Sequence, residues 1–135
     1  PEGKPGASLK AFRDYCPNCK VYGADYDKRV LFQEERIKTF FVDQTSPNTF
    51  DKLDENTGDD FDLMIDDGLH SPNANLHSLY FFIKKLKIGG YGVIEDISPL
   101  TNDLWKIVSN LLGENFLSAL IVTKKANIYL VKRIN

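Results

Sequence analysis

The sequence predicts an α/β fold built on a mainly parallel sheet. Strand-like and helix-like segments alternate through most of the chain, the first four predicted strands each end in an acid, and the last two strands are separated only by Lys124-Lys125-Ala126-Asn127. Leu9, Phe12 and Tyr15 recur every three residues and predict a short helix from Ala7 to Tyr15, begun by Gly6 or Ser8. Pro17-Asn18 breaks that pattern, and Lys20 to Asp25 reads as a strand ending in acid. Lys28 to Glu35 reads as a second helix, and Ile37 to Val42 as a strand followed by Asp43.

Pro47 to Glu55 is polar and compatible with a helix, with Gly58 as a stop. Phe61 to Ile65 reads as a buried strand capped by Asp66-Asp67. From Asn73 to Leu86 the residues Leu76, Leu79, Tyr80, Ile83 and Leu86 fall at helical spacing, and Gly89-Gly90 would end that helix. Tyr91 to Ile94 is a strand ending in Glu95-Asp96, and Asp103 to Leu112 a further helix. Phe116 to Thr123 and Ile128 to Ile134 are strands whose connection has room only for a hairpin, which makes the last strand antiparallel.

The chain has 135 residues, enough for one domain over 1–135 and too few for a second with its own core. Apolar residues make up 42% and charged ones 27%, so a sizeable core is expected. Lys and Arg number 17 against 19 Asp and Glu, and the net charge of -2 calls for neither nucleic acid nor an anionic membrane. The longest apolar run, Leu79 to Ile83, is far short of the roughly 20 residues a bilayer span needs. No secretory pattern opens the chain, and a soluble, cytoplasmic protein is the expectation. Pro1 to Gly6 reads as the middle of a loop.

In sheets of this kind ligands bind beyond the carboxyl ends of the strands, where Asp25, Asp43, Asp66, Asp67, Glu95 and Asp96 all fall. A single acid after a strand is usually a solvated loop residue, but four strand ends in succession weaken that account. A carboxylate accepts hydrogen bonds through two oxygens, so Asp25 suits the two hydroxyls of a ribose, while Asp43-Gln44 combines an acceptor and an amide suited to the edge of an adenine. Asp66-Asp67-Gly68-Leu69-His70 and Glu95-Asp96 form a second group, whose carboxylates suit a hard cation such as Mg²⁺. His70 is a candidate base, although a lone histidine is more often structural. His77 reads as a packing or surface residue, and Trp105 and Phe81-Phe82 as core or interface. Gly6, Ala7 and Ser8 before the first helix offer backbone amides to a ligand. Cys16-Pro17-Asn18-Cys19 has the spacing of a redox or half-zinc motif, but it follows a helix instead of opening one, and no second cysteine pair exists to complete a zinc site.

Gly23-Ala24-Asp25, Asp43-Gln44, Ile65 to Ser71, Leu86 to Gly90 and Ile94-Glu95-Asp96 stand in the order and approximate spacing of a known family. The chain resembles class I S-adenosylmethionine-dependent methyltransferases, especially the metal-dependent O-methyltransferases of macrolide sugars. The resemblance implies a Rossmann-like sheet, with Asp25 on the ribose, Asp43 and Gln44 on the adenine side, Gly6, Ala7 and Ser8 in the first loop, and Asp66 close to the methyl donor. It implies Mg²⁺ on Asp67, Glu95 and Asp96, and His70 as general base for a hydroxyl of a sugar or other small molecule. It also implies that the family's first strand precedes Pro1, centrally between the strands ending at Asp25 and near Asp66, so that the chain is a piece of a longer protein and incomplete alone. A homo-oligomer is compatible with the family. Two other readings stand beside it: a non-catalytic module that keeps the nucleoside pocket for regulation or assembly, and a nicotinamide-dependent oxidoreductase, which has no evident use for Asp43-Gln44 or the strand-end acids.

Overall fold

The computed structural model describes residues 4–135, so the loop reading of Pro1 to Gly3 lies outside the described residues. The chain divides into two compact units, one ending at Thr57 and the other running Gly58–Asn135. No helix among the described residues is long and apolar enough to cross a membrane.

The first unit contains α1 (Ala7–Tyr15), β1 (Val21–Asp25), a 3-10 turn (Lys28–Val30), β2 (Gln33–Glu34), β3 (Ile37–Phe41) and α2 (Pro47–Asn56). Its sheet has the order β1-β3-β2, with β1 and β3 parallel, Val21 opposite Ile37 and Asp25 opposite Phe41. A Cβ on Gly23 of β1 would stand 2.5 Å from Leu9 Cδ1, so the missing side chain is what lets α1 lie directly on the strand. The helix expected over Lys28 to Glu35 does not form. Arg36 turns the chain at φ 62, which folds Gln33 and Glu34 back antiparallel onto β3. Thr39 Oγ1 accepts from the Phe32 backbone N–H at 2.5 Å and donates to its carbonyl at 2.6 Å, meeting the demands a helix would have met.

The hairpin in turn fixes α1. Glu34 pairs with Lys10 at 2.8 Å and Arg13 at 3.0 Å, and Arg36 Nη1 donates to the Arg13 and Cys16 carbonyls at 3.0 and 3.1 Å, at the end of the helix where carbonyls lack partners. Cys16 and Cys19 are joined by a disulfide, with Cα atoms 5.4 Å apart, in the turn from α1 to β1. The pair closes on itself and offers no thiolate to a metal.

The second unit contains β4 (Phe61–Asp66), α3 (Pro72–Lys85), β5 (Leu86–Ile97), a 3-10 turn (Pro99–Thr101), α4 (Asn102–Leu111), β6 (Phe116–Ile121) and β7 (Asn127–Arg133). The sheet order is β4-β5-β7-β6; β4 and β5 are parallel, and β7 runs against both β5 and β6, as the short final connection requires. Leu79, Phe81, Phe82, Ile94, Trp105 and Tyr129 are buried at its core. The Trp105 and Tyr129 rings are 4.5 Å apart, and the Tyr129 hydroxyl meets its polar need at Ser109 Oγ, 3.0 Å away.

Two expectations about α3 change. The helix ends at Lys85, and Gly89-Gly90 lies inside β5 instead of stopping the helix; Gly89 has φ 87, and a Cβ on Gly90 would stand 2.5 Å from the Phe61 carbonyl oxygen. The buried face is Ala74, Asn75, Ser78, Leu79, Phe81, Phe82 and Lys85, while Tyr80 is 62% exposed. Two apolar stripes compete on this helix, and the one bearing both phenylalanine rings goes inward. Lys85 is carried in with it, its ammonium reaching Asp59 Oδ1 at 2.5 Å.

Candidate functional site

Each unit gathers its own group of sequence-predicted residues at the carboxyl ends of parallel strands. In the first unit Asp25 ends β1 and the Val42 N–H donates to the Asp25 carbonyl at 3.0 Å, so Asp43 follows directly beside it. Asp25 is exposed, with Oδ1 accepting from the Asp27 N–H at 2.8 Å. Asp43 Oδ1 accepts from both the backbone N–H and the hydroxyl of Thr45, at 2.9 and 2.6 Å. Those bonds, the hydroxyl's first, hold the Asp43 carboxyl below its ordinary value, so it is a firm acceptor at neutral pH. Gln44 follows it, half-buried. Gly6 is the N-cap of α1 at φ 76, and Ala7 and Ser8 are exposed in the first turn. Because α1 packs on β1 and reaches it through a short turn, its N-terminus lies toward the same strand end as Asp25.

The second unit builds the acid-histidine group. Parallel pairing sets Asp66 opposite Ile94, which brings the residues after β4 level with Glu95 and Asp96. Between Ile94 and Ile97 the pairing of β5 with β7 shifts, since Ile94 faces Tyr129 while Ile97 faces Asn127. One extra residue is thus accommodated on β5, and Asp96 takes φ 51 within it. This bulge re-aims Asp96, which strict alternation would have placed on the buried side with Ile94. His70 also has a left-handed backbone, at φ 54. Such conformations are uncommon outside glycine and persist where surrounding structure holds them.

As a result Asp67, His70 and Asp96, all exposed, offer ligand atoms that lie within 4.8 Å of one another, with His70 Nε2 3.8 Å from Asp67 Oδ1. The two carboxylates would suit a hard divalent cation, with the imidazole within reach of a molecule held there. Glu95, half-buried beside Asp96, is not among the three, and His70, expected as a base, is. Asp66 is enclosed: Oδ1 accepts from the Gly68 N–H at 3.2 Å and Oδ2 from Asn75 Nδ2 at 3.0 Å. Asn75, which the sequence does not single out, is the partner of Asp66; its one signal is a carboxamide between the small residues of the inward stripe.

No known protein-family model matches the chain. Over 92 residues it is 33% identical to the 8-demethyl-8-(2-methoxy-alpha-L-rhamnosyl)-tetracenomycin-C 3'-O-methyltransferase of Streptomyces olivaceus, covering 68% of this chain and 23% of that one. It is 32% identical over 92 residues to the demethylmacrocin O-methyltransferase of Streptomyces fradiae, with the same coverage. The chain thus spans about a quarter of the length of these curated relatives. Among solved structures, the MycE methyltransferase of mycinamycin biosynthesis, in complex with Mg and SAH, superposes with a TM-score of 0.73 at 24% identity, over 96% of this chain and 40% of that one. An rRNA methylase from Streptococcus thermophilus gives a TM-score of 0.57 at 15% identity, over 86% and 74%. The fold is the Rossmann-like fold of class I methyltransferases, and the chain resembles the sugar O-methyltransferases among them.

Proposed function

We propose that this chain works in an S-adenosylmethionine-dependent O-methyltransferase that uses Mg²⁺ and methylates a hydroxyl of a sugar or other small molecule. The observation that carries the reading is the convergence of Asp67, His70 and Asp96 on a chain whose relatives are O-methyltransferases. The two units are read as parts of one domain. In the first, Asp25 binds the ribose hydroxyls, Asp43 and Gln44 the adenine side, and Gly6, Ala7 and Ser8 the remainder of the cofactor; Asp66, in the second unit, is assigned to the methyl-donor side by the resemblance alone. In the second, Asp67 and Asp96, joined by Glu95, hold the cation.

When bound, S-adenosylmethionine supplies an electrophilic methyl group on a positive sulfur, and the cation a charge that favours the deprotonated hydroxyl. His70 takes up the hydroxyl proton at an imidazole nitrogen, for which imidazole is the suited side chain near neutrality. Asp67 Oδ1 stands 3.8 Å from His70 Nε2, on the same loop. The side chains hold and orient, and none needs a covalent bond to substrate. The reading has the protein act on a small molecule and not on nucleic acid or a membrane, and accommodates a homo-oligomer.

Methyl transfer to a panel of glycoside hydroxyls tests it. His70→Ala should remove turnover while leaving cofactor affinity within about twofold, and Asp67→Asn should abolish stimulation by Mg²⁺. Equal turnover in His70→Ala refutes the base assignment. Cofactor binding without turnover on any acceptor favours a non-catalytic module.

A further inference from the structure

We propose that Asn75 is a positioning residue for this site, acting through Asp66 to hold the loop that carries Asp67 and His70. The inference rests on the metal-assisted reading above. β4 ends at Asp66 and α3 begins at Pro72, so the intervening loop contains both Asp67 and His70. Asp66 is 5% exposed and Asn75 2%, and Asn75 Nδ2 donates to Asp66 Oδ2 at 3.0 Å beneath that loop. The same carboxylate accepts the Gly68 N–H at 3.2 Å through Oδ1. At the helix root the Asn75 N–H donates to the Ser71 carbonyl at 2.9 Å, and Ser71 Oγ accepts from the Ala74 N–H at 3.4 Å. The loop is therefore tied to the strand end and to the first turns of the helix by one connected set of bonds.

An apolar pair could fill the same space. Burying an amide and a carboxyl costs their hydration, returned only when each bonds a specific partner in a specific orientation. That orientation is what the loop requires, because His70 holds φ 54, a conformation a non-glycine residue keeps only when its surroundings impose it. Asn75 is too deeply buried to meet a ligand itself, so its effect passes through Asp66 to the placement of Asp67 against Asp96, with His70 carried on the same loop.

The test is Mn²⁺ binding, read by electron paramagnetic resonance as a replacement for Mg²⁺, with a thermal melt of each variant. Asn75→Asp sets two carboxyl groups against each other, and the double variant Asp66→Asn with Asn75→Asp re-forms an amide-carboxylate pair. Asn75→Asp should weaken Mn²⁺ binding by tenfold or more, the exchanged pair should restore it to within about threefold, and Asp67→Asn should lose it. If Asn75→Asp does not fold, Asn75→Ala, which adds no charge, is read in the same way. Wild-type Mn²⁺ affinity in a folded Asn75 variant, whatever its melting temperature, overturns the positioning role and leaves the metal reading intact. Equal binding by the wild type and Asp67→Asn, or no binding by either, refutes the metal reading and this inference with it.

Discussion

Substituting Gly6 by alanine tests how the first loop and α1 are held. Gly6 stands at φ 76, where an L side chain costs about 1–2 kcal/mol, offset by about 0.4–1 kcal/mol because alanine restricts the unfolded chain. A Cβ there would lie 2.5 Å from Phe32 Cζ and closer still to Cε1, against about 3.5–4 Å for ordinary carbon contacts. Relief requires the Phe32 ring to move, and overpacking of this kind costs about 1–3 kcal/mol. Together these terms predict a loss of about 1–5 kcal/mol. The ring-edge share is isolated by a double-mutant cycle with Phe32→Leu, for which we predict a favourable coupling of about 1–3 kcal/mol, read from urea unfolding of the four proteins. A Gly6→Ala protein as stable as the wild type, or a coupling of zero, would refute the close approach of Phe32 to the loop.

Trp105→Ala removes a fully buried ring tilted against Tyr129 and should cost about 3–5 kcal/mol in urea unfolding, whereas Tyr129→Phe, losing only the bond to Ser109, should cost about 1 kcal/mol; equal costs would contradict the packing described. Opening the Cys16–Cys19 disulfide frees a loop of about four residues and should lower stability by about 2 kcal/mol on the chain-entropy argument, matched by the Cys16→Ser, Cys19→Ser protein; no change on reduction would show that Arg36 and the turn suffice alone. Asp43 has a lowered folded-state pKa, so its contribution to stability is present above the ordinary carboxylate value and lost as the pH falls through the lower, folded value. Thr45→Val deletes the leading cause and should move Asp43 back up, measured by carboxyl-carbon NMR titration; an unchanged midpoint would remove the hydroxyl from the account.

Legibility followed the reach of each interaction. The helix from Ala7 to Tyr15, the strand at Ile37 and the final hairpin were readable because local periodicity and connection length decide them. Lys28 to Glu35 misled because its charged residues suit a helix, while the deciding bonds come from Thr39 and the turn at Arg36, later in the chain. Asp67 and His70 were visible as a strand-end run. Asp96 was visible as an acid but not as a bulged one, since the shift depends on which β7 residue faces Ile97. The pair of Asp66 and Asn75 was hidden for a similar reason: burial of a polar side chain on α3 follows from which of two competing stripes turns inward. The cysteine spacing was legible, and its closure within the turn is favoured by the Cys19 N–H bonding the Cys16 carbonyl at 3.0 Å.

Asp25 and Asp43 are proposed to serve an S-adenosylmethionine site in a protein whose Asp67 group takes a divalent cation. Calorimetric titration of S-adenosylmethionine, with and without Mg²⁺, into the methyltransferase in which this chain is proposed to work tests it most directly. The account predicts saturable binding with a Kd on the order of 1 μM, about 8 kcal/mol, weakened at least tenfold by Asp25→Ala. Absence of binding at millimolar S-adenosylmethionine in either condition would contradict it.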